Sequence, residues 1–212
     1  MTVEKWYFGE APLPEVVELA TVLRDLTSTV LSLEQATPEV RALTDTLRAA
    51  QRQLAASAPT DPRPRIGEHA SPEQRVYVDH SRDVGDYNPC FPPYDLQVDD
   101  TGARGSVEFA VCYEGPPGTV HGGFLAVFFD CVLQQLNCDL GQAGKTAELS
   151  LRFRRPTPLL TQLTVHATRE ITDGRIRSHA ELVLEGKVLC ECDMAAALGD
   201  RDALPFVSPR QP

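Results

Sequence analysis

The sequence predicts an α+β domain in which one antiparallel sheet wraps a single buried helix, with a helical hairpin placed before it. Three observations predict this. The run from Phe124 to Leu133 is apolar at nearly every position, so it reads as a helix with no solvated face, enclosed by other structure. A pair of alternating strands precedes it, and a meander of alternating strands follows it. A long buried helix between an early hairpin and a later meander is the pattern of a sheet whose one face covers one helix.

The elements follow in chain order. Pro14 suits a first helical turn, and Val16, Leu19, Leu23, Leu26, Val30 and Leu33 recur at three- and four-residue spacing, giving an amphipathic helix. Thr37-Pro38-Glu39 reads as an N-cap with proline at the first position, and Val40, Leu43, Leu47 and Leu54 continue one face of a second helix. The apolar stripe of this hairpin has three destinations open to it: its own domain, a second subunit or a partner protein. Residues 58–71 are Pro-rich and place a domain boundary, so the chain divides into an N-terminal extension with linker at 1–74, a folded domain at 75–200 and a tail at 201–212. The segment from Arg75 to Tyr94 is irregular, with Val76–Val78 a candidate short strand and Asn88–Pro93 either a loop or extended.

Leu96 and Val98 precede a turn at Asp99-Asp100-Thr101-Gly102, and Val107, Phe109 and Val111 alternate with Ser106, Glu108 and Ala110 in the return strand. After the helix, Ala147, Leu149, Leu151 and Phe153 face one way, while Thr146, Glu148, Ser150, Arg152 and Arg154 face the other. Leu163, Val165 and Ala167, then Ile176, Ala180, Leu182 and Leu184, then Val188, Cys190, Cys192 and Met194 supply the inward sets of three further strands. Thr172-Asp173-Gly174 and Glu185-Gly186-Lys187 are the turns between them.

Chemistry concentrates where the loop Gly115-Pro116-Pro117-Gly118-Thr119-Val120-His121 delivers Gly122 and Gly123 to the start of the buried helix. Free N–H groups at a helix N-terminus, backed by the helix dipole, favour an oxygen that is gaining negative charge. Asp130 lies in the middle of the apolar run, where an ionised carboxylate without partners is costly, so it is either satisfied structurally or present for chemistry. From Gly122 to Asp130 is about 12 Å of helix rise, whereas a base must lie within about 3 Å of the water it activates. One helix cannot hold both groups at one reacting centre. If both are catalytic, a second copy of the helix must cross antiparallel over a two-fold axis, and the motif therefore predicts a dimer.

Gly-Pro-Pro-Gly-x-x-His-Gly-Gly, an aspartate seven residues after the second glycine, and the strand end Arg154-Arg155-Pro156-Thr157-Pro158-Leu159 together resemble the hotdog-fold acyl-CoA thioesterases. The nearest subgroup is the phenylacetate-degradation type, which includes the thioesterase-superfamily-member proteins. The resemblance covers about Asn88 to Leu198. It implies a hotdog fold, a homodimer or dimer of dimers, and hydrolysis of acyl-CoA with coenzyme A as part of the substrate and no other cofactor. It implies Asp130 as the essential carboxylate, acting as general base or nucleophile. The backbone N–H of Gly122 or Gly123, with Gly122 favoured, polarises the thioester carbonyl, and Thr146 holds the attacking water. His121 is either a capping, loop-fixing residue or an acid–base participant. Some members carry an Asn six positions before this histidine; here Gly115 stands there. In related enzymes the segment before the first sheet strand lies near the acyl pocket, which brings Tyr87, Phe91 and Tyr94 into consideration against ordinary packing.

Arg152, Arg154 and Arg155 break an otherwise acidic chain, and guanidinium groups suit phosphate, so they are candidates for coenzyme A binding against the alternative of a solvated, ion-paired strand face. A net charge of -10 opposes nucleic acid and anionic membrane as partners. No apolar stretch approaches the length of a membrane span, and the start carries no signal pattern, so the expected setting is cytoplasmic. Six cysteines without a Cys-x-x-Cys pair read as buried small hydrophobes, and no metal is expected. The rival from another class is a non-catalytic acyl-CoA or lipid-binding hotdog module whose hairpin recruits a partner. A hotdog hydratase typically pairs Asp and His in a different motif.

Overall fold

A computed structural model of the chain describes residues 11–35, 37–57 and 80–199. The Pro-rich segment, the strand expected at residues 76–78 and the tail at 201–212 lie outside the described residues.

Two helices come first, α1 (Pro14–Leu31) and α2 (Pro38–Ala56), each opened by a proline in the first turn. A four-residue helix α3 (Val84–Tyr87) follows, in a stretch whose sequence reads as irregular. The sheet begins with β1 (Tyr94–Asp99) and β2 (Gly102–Val107). The strand expected to run on through Phe109 and Val111 stops at Val107. Residues Val111–Tyr113 instead form a 3-10 turn that buries Tyr113 under the loop leading to the central helix. The helix α4 (Gly122–Asp139) precedes β3 (Thr146–Phe153), β4 (Leu163–Thr172), β5 (Arg175–Leu184) and β6 (Lys187–Ala197). All pairings are antiparallel, in the order β1-β2-β4-β5-β6-β3.

The two turns read from the sequence form as expected. Asp173 and Gly174, then Glu185 and Gly186, adopt positive φ in pairs, which matches the twist of a two-residue hairpin. The inward sets of β4 and β5 are likewise covered, with Val165, Ala180 and Leu182 fully buried, as are Cys190 and Cys192 of β6. Val188, expected to share their face, does not: a register shift pairs it with Val183, and Leu189 is buried in its place. Against them α4 presents Leu125, Phe128, Phe129, Val132, Leu133 and Leu136. Phe128 meets Phe109 and Tyr94 edge to face at centroid distances of 5.5 and 5.8 Å. Each such side chain contributes about 1.5–3 kcal/mol of burial, and this core fixes the helix on the inner face of the sheet. Arg169 of β4 closes the other end of α4, donating to the carbonyls of Asn137, Leu140 and Gln142 at 3.1, 2.8 and 2.6 Å.

Two expectations need correction. Helix α4 is not enclosed all round: Gly123 is exposed, and Ala126, Val127, Asp130 and Gln134 are only partly covered, a stripe at three- and four-residue spacing on one face. The sheet covers the opposite face, so a single chain leaves this one open. The second correction is in β3, where the register shifts between Thr146 and Glu148. Thr146 pairs with Ala196, whereas Glu148 pairs with its neighbour Ala195, so one extra residue sits in β3 at this point. Paired residues share a face, and Ala196, Met194 and Cys192 face the core. Thr146 therefore lies on the inner side with Leu149 and Leu151, not on the outer side with Glu148 and Ser150.

The hairpin also packs differently from its apolar pattern. Helix α1 docks on the domain through Ala20 and Arg24, while Val16, Leu19 and Val30 of its apolar stripe stay exposed, and α2 buries no residue. Arg24, 5% exposed, donates to Tyr113 Oη at 3.1 Å and to the carbonyl of Gly85, and Ser28 accepts the N–H of Cys112. A buried guanidinium with fixed acceptors, rather than apolar matching, sets the seat of α1.

Candidate active site

The loop before α4 is tied down on both sides. Val120 N–H donates to the carbonyl of Thr157 and His121 N–H to that of Tyr113, each at 2.9 Å. Gly115 is pressed against this loop: a Cβ there would lie 2.7 Å from His121 Cα. His121 then caps the helix. Its Nδ1 accepts from Gly123 N–H at 3.0 Å, and its carbonyl accepts from Phe124 N–H at 2.9 Å and Leu125 N–H at 3.3 Å. A helix starts with four N–H groups that lack intrahelical partners. His121 satisfies those of Gly123, Phe124 and Leu125, and the N–H of Gly122 is the one left without an acceptor among the described residues. The positive end of the helix dipole is thus presented through Gly122, with the ring of Phe153 beside it.

Eight residues along the helix, Asp130 sits on the open stripe. Its Oδ1 accepts the hydroxyl proton of Thr146 at 2.8 Å. Gln134 donates from Nε2 to Thr146 Oγ1 at 2.7 Å and to the Gly144 carbonyl at 3.0 Å. No basic side chain among the described residues pairs with Asp130. Two thiols stand nearby, the half-buried Cys131 on α4 and the buried Cys192 on β6; desolvation pushes both up to about 12, with the Asp130 carboxylate adding to the effect. They are neutral neighbours of the carboxylate near pH 7.

Asp130 and Thr146 are brought together, as are His121, Gly122 and Gly123. The two groups stand apart along one helix, as the spacing requires. Arg152 and Arg154 lie outside both, on the exposed face of β3 and just beyond it. Arg154 pairs with Glu191 at 2.7 Å, and Arg152 with Glu191 and Asp193 at 3.2 and 3.3 Å. These guanidinium groups hold the Glu191 carboxyl below its usual range. Arg155 donates to the carbonyl of Val188 and has no acidic partner among the described residues. Tyr94 is buried and donates to Gln135 Oε1 at 2.8 Å, which makes it a packing residue behind α4. Gln134 is the site residue that sequence reasoning missed; the only signal for it was its position one turn beyond Asp130. Among the described residues no group of His, Cys, Asp and Glu could hold a metal ion, and no helix is long and apolar enough to cross a membrane.

No family model matches the sequence. A crystal structure of a thioesterase superfamily protein matches with a TM-score of 0.73 at 26% identity, covering 89% of this chain and 97% of that one. The match is too long to stop at the sheet and central helix, and takes in part of the N-terminal helices. The chain has the hotdog fold and is similar over most of its length to this thioesterase superfamily protein. Bovine acyl-coenzyme A thioesterase THEM4 is 34% identical over 62 residues, 29% of this chain; the matched stretch spans a quarter of that relative's length. A Streptococcus pneumoniae hypothetical thioesterase crystallised with coenzyme A is 18% identical, with a TM-score of 0.47, over 50% of this chain and 87% of its own. For a hotdog thioesterase fold, α4 is the central helix and the six strands are the sheet around it.

Proposed function

We propose that this chain is an acyl-CoA thioesterase that hydrolyses the thioester to a free acid and coenzyme A. One observation carries the reading: the N-terminus of α4 leaves one N–H unpartnered, at Gly122, while the same helix holds on its open face a carboxylate whose partner is the neutral Thr146. In the reaction the thioester oxygen lies at Gly122 N–H. Asp130 takes a proton from water as the water oxygen bonds to the carbonyl carbon. The tetrahedral intermediate then expels the thiolate, which regains a proton to leave as the thiol. His121 acts by capping, since its Nδ1 is engaged by Gly123.

The two halves meet only between chains. The open stripe of α4 adjoins β3, whose outer edge has no strand partner among the described residues, and an antiparallel copy across that side would set Asp130 of one chain against Gly122 of the other. A homodimer, singly or paired into a tetramer, is the working form in this reading. Arg155, with no acidic partner among the described residues, is the foremost of the three arginines for a coenzyme A phosphate; Arg152 and Arg154 would first have to share their carboxylates.

Release of free thiol from short, medium, long and aromatic acyl-CoAs tests the reading, with Asp130→Asn in parallel. Turnover by the wild type and loss of it in a still dimeric variant is the expected result; a variant that keeps most of its rate overturns the assignment. A second reading, an acyl-CoA-binding module without turnover, is favoured by the exposed Leu19, Val30, Leu47 and Leu54 on α1 and α2. Saturable acyl-CoA binding with no thiol release across the panel would select it.

A further inference from the structure

Gln134 lies one turn beyond Asp130 on α4, and its carboxamide is committed at both ends of a short path. Its Nε2 donates to Thr146 Oγ1 at 2.7 Å and to the carbonyl of Gly144 at 3.0 Å. A threonine hydroxyl has one proton and two lone pairs. With an amide N–H held against one lone pair, the proton must point elsewhere, and the acceptor it meets is Asp130 Oδ1 at 2.8 Å. The second bond, to Gly144, keeps the amide from turning its oxygen toward Thr146 instead. No side chain among the described residues engages Oδ2 of Asp130, so the path also decides which carboxylate oxygen faces water.

We propose that Gln134 is a positioning residue that acts on Asp130 through Thr146, polarising the threonine hydroxyl and directing its proton onto the carboxylate. The inference rests on the reading of Asp130 as the group that activates water. A chain of two donors ending on an anion strengthens each bond in it. The path leaves Thr146 one lone pair and no proton, so toward water this hydroxyl is an acceptor. Among the described residues, the titratable groups coupled to Asp130 are Cys131 from its own helix and Cys192 from β6, both neutral near pH 7, and its hydrogen-bond partner from β3 is Thr146.

The test is Gln134→Glu, which keeps the shape and replaces the donor by an acceptor. The Glu carboxylate would compete for the Thr146 proton and add negative charge near Asp130. A carboxyl 13C NMR titration, with the Asp130 signal assigned from its absence in Asp130→Asn, should show the Asp130 pKa raised by about one unit or more. In turnover the acid limb of kcat/KM should move up with it, and kcat should fall on the order of 10-fold with KM little changed. A titration that does not move overturns the inference. Should Gln134→Glu fail to fold, Gln134→Met decides the matter in two backgrounds: it should raise the Asp130 pKa in the wild type and leave it unchanged in Thr146→Val. Equal shifts in both backgrounds, or none in either, would mean that Gln134 does not act through Thr146. The titration needs no turnover, so an inactive wild type would defeat the thioesterase reading while the positioning role is still decided.

Discussion

The Thr146 hydroxyl reaches Asp130 Oδ1 at 2.8 Å because a bulge between Thr146 and Glu148 turns this one residue onto the helix-facing side of β3. A hydrogen bond to a charged acceptor is worth about 1.5–3 kcal/mol, which corresponds to roughly 10- to 100-fold in rate where it acts in the transition state. Thr146→Val should lower kcat by that order with little change in KM, and Thr146→Ser, which keeps the donor, should retain most of the activity. Steady-state thiol release separates the two, and a Val variant as fast as wild type would remove Thr146 from the mechanism.

Gly115 and Gly122 make opposite demands on a side chain. A Cβ at Gly115 would stand 2.7 Å from His121 Cα, and backbone cannot yield there; a Cβ at Gly122 would meet Phe153 Cζ at 3.1 Å, and an exposed ring at the end of an edge strand can give. Gly115→Ala should cost about 1–3 kcal/mol and displace the cap that leaves Gly122 N–H free, lowering activity with stability. Gly122→Ala should change the unfolding midpoint far less and keep the N–H. Urea unfolding and thiol release on both variants check this, and a harmless Gly115→Ala would mean that the loop is not held as described.

Much of this was legible in residues. The buried face of α4, the inward sets of β4 and β5, the Cys190, Cys192 and Met194 face of β6 and the two Gly-containing turns follow directly from period and turn chemistry, because burial on one face enforces them; the register shift that takes Val188 out of that face does not. The early stop of β2 was not, since Phe109 and Val111 continue the alternation while their backbone turns away to bury Tyr113. Nor was the bulge in β3: alternation places Thr146 outward, and only the pairing with Ala196 shows the shift. The open stripe of α4 was masked by its composition, because Ala126 and Val127 are as apolar as covered residues. The seat of α1 was misleading for the opposite reason, as the buried contact is made by Arg24 and not by the leucines.

Arg24 should therefore matter more than any of those leucines. Removing its guanidinium leaves the Gly85 carbonyl without this donor and takes one bond from the Tyr113 hydroxyl, which still donates to Phe91 at 2.7 Å. Arg24→Met keeps the apolar stem and should cost about 1–3 kcal/mol through unsatisfied polar groups, with α1 becoming more open to limited proteolysis. Leu19→Ala, at a side chain 47% exposed, should leave both readouts nearly unchanged. Equal effects from the two would indicate that the stripe is covered in solution.

Asp83 offers a pH test with a definite sign. Burial raises its carboxyl above the usual range, the Gln135 amide opposing in part, and its backbone sits at φ 42, a conformation that Asn also accepts. The folded chain holds this proton more tightly than the unfolded chain, whose Asp titrates near about 3.9. Stability contributed here is present at pH below about 3.9 and is lost as pH rises through the folded value. Asp83→Asn, which keeps the shape and the acceptor for Gln135, has no such titration. Wild type should thus lose ground to the variant as pH climbs from about 4 through the folded value, and the gap should then stay constant. Paired urea unfolding curves across that range measure it, and a gap that is flat throughout, or that grows in favour of wild type, would show that burial does not govern this carboxyl.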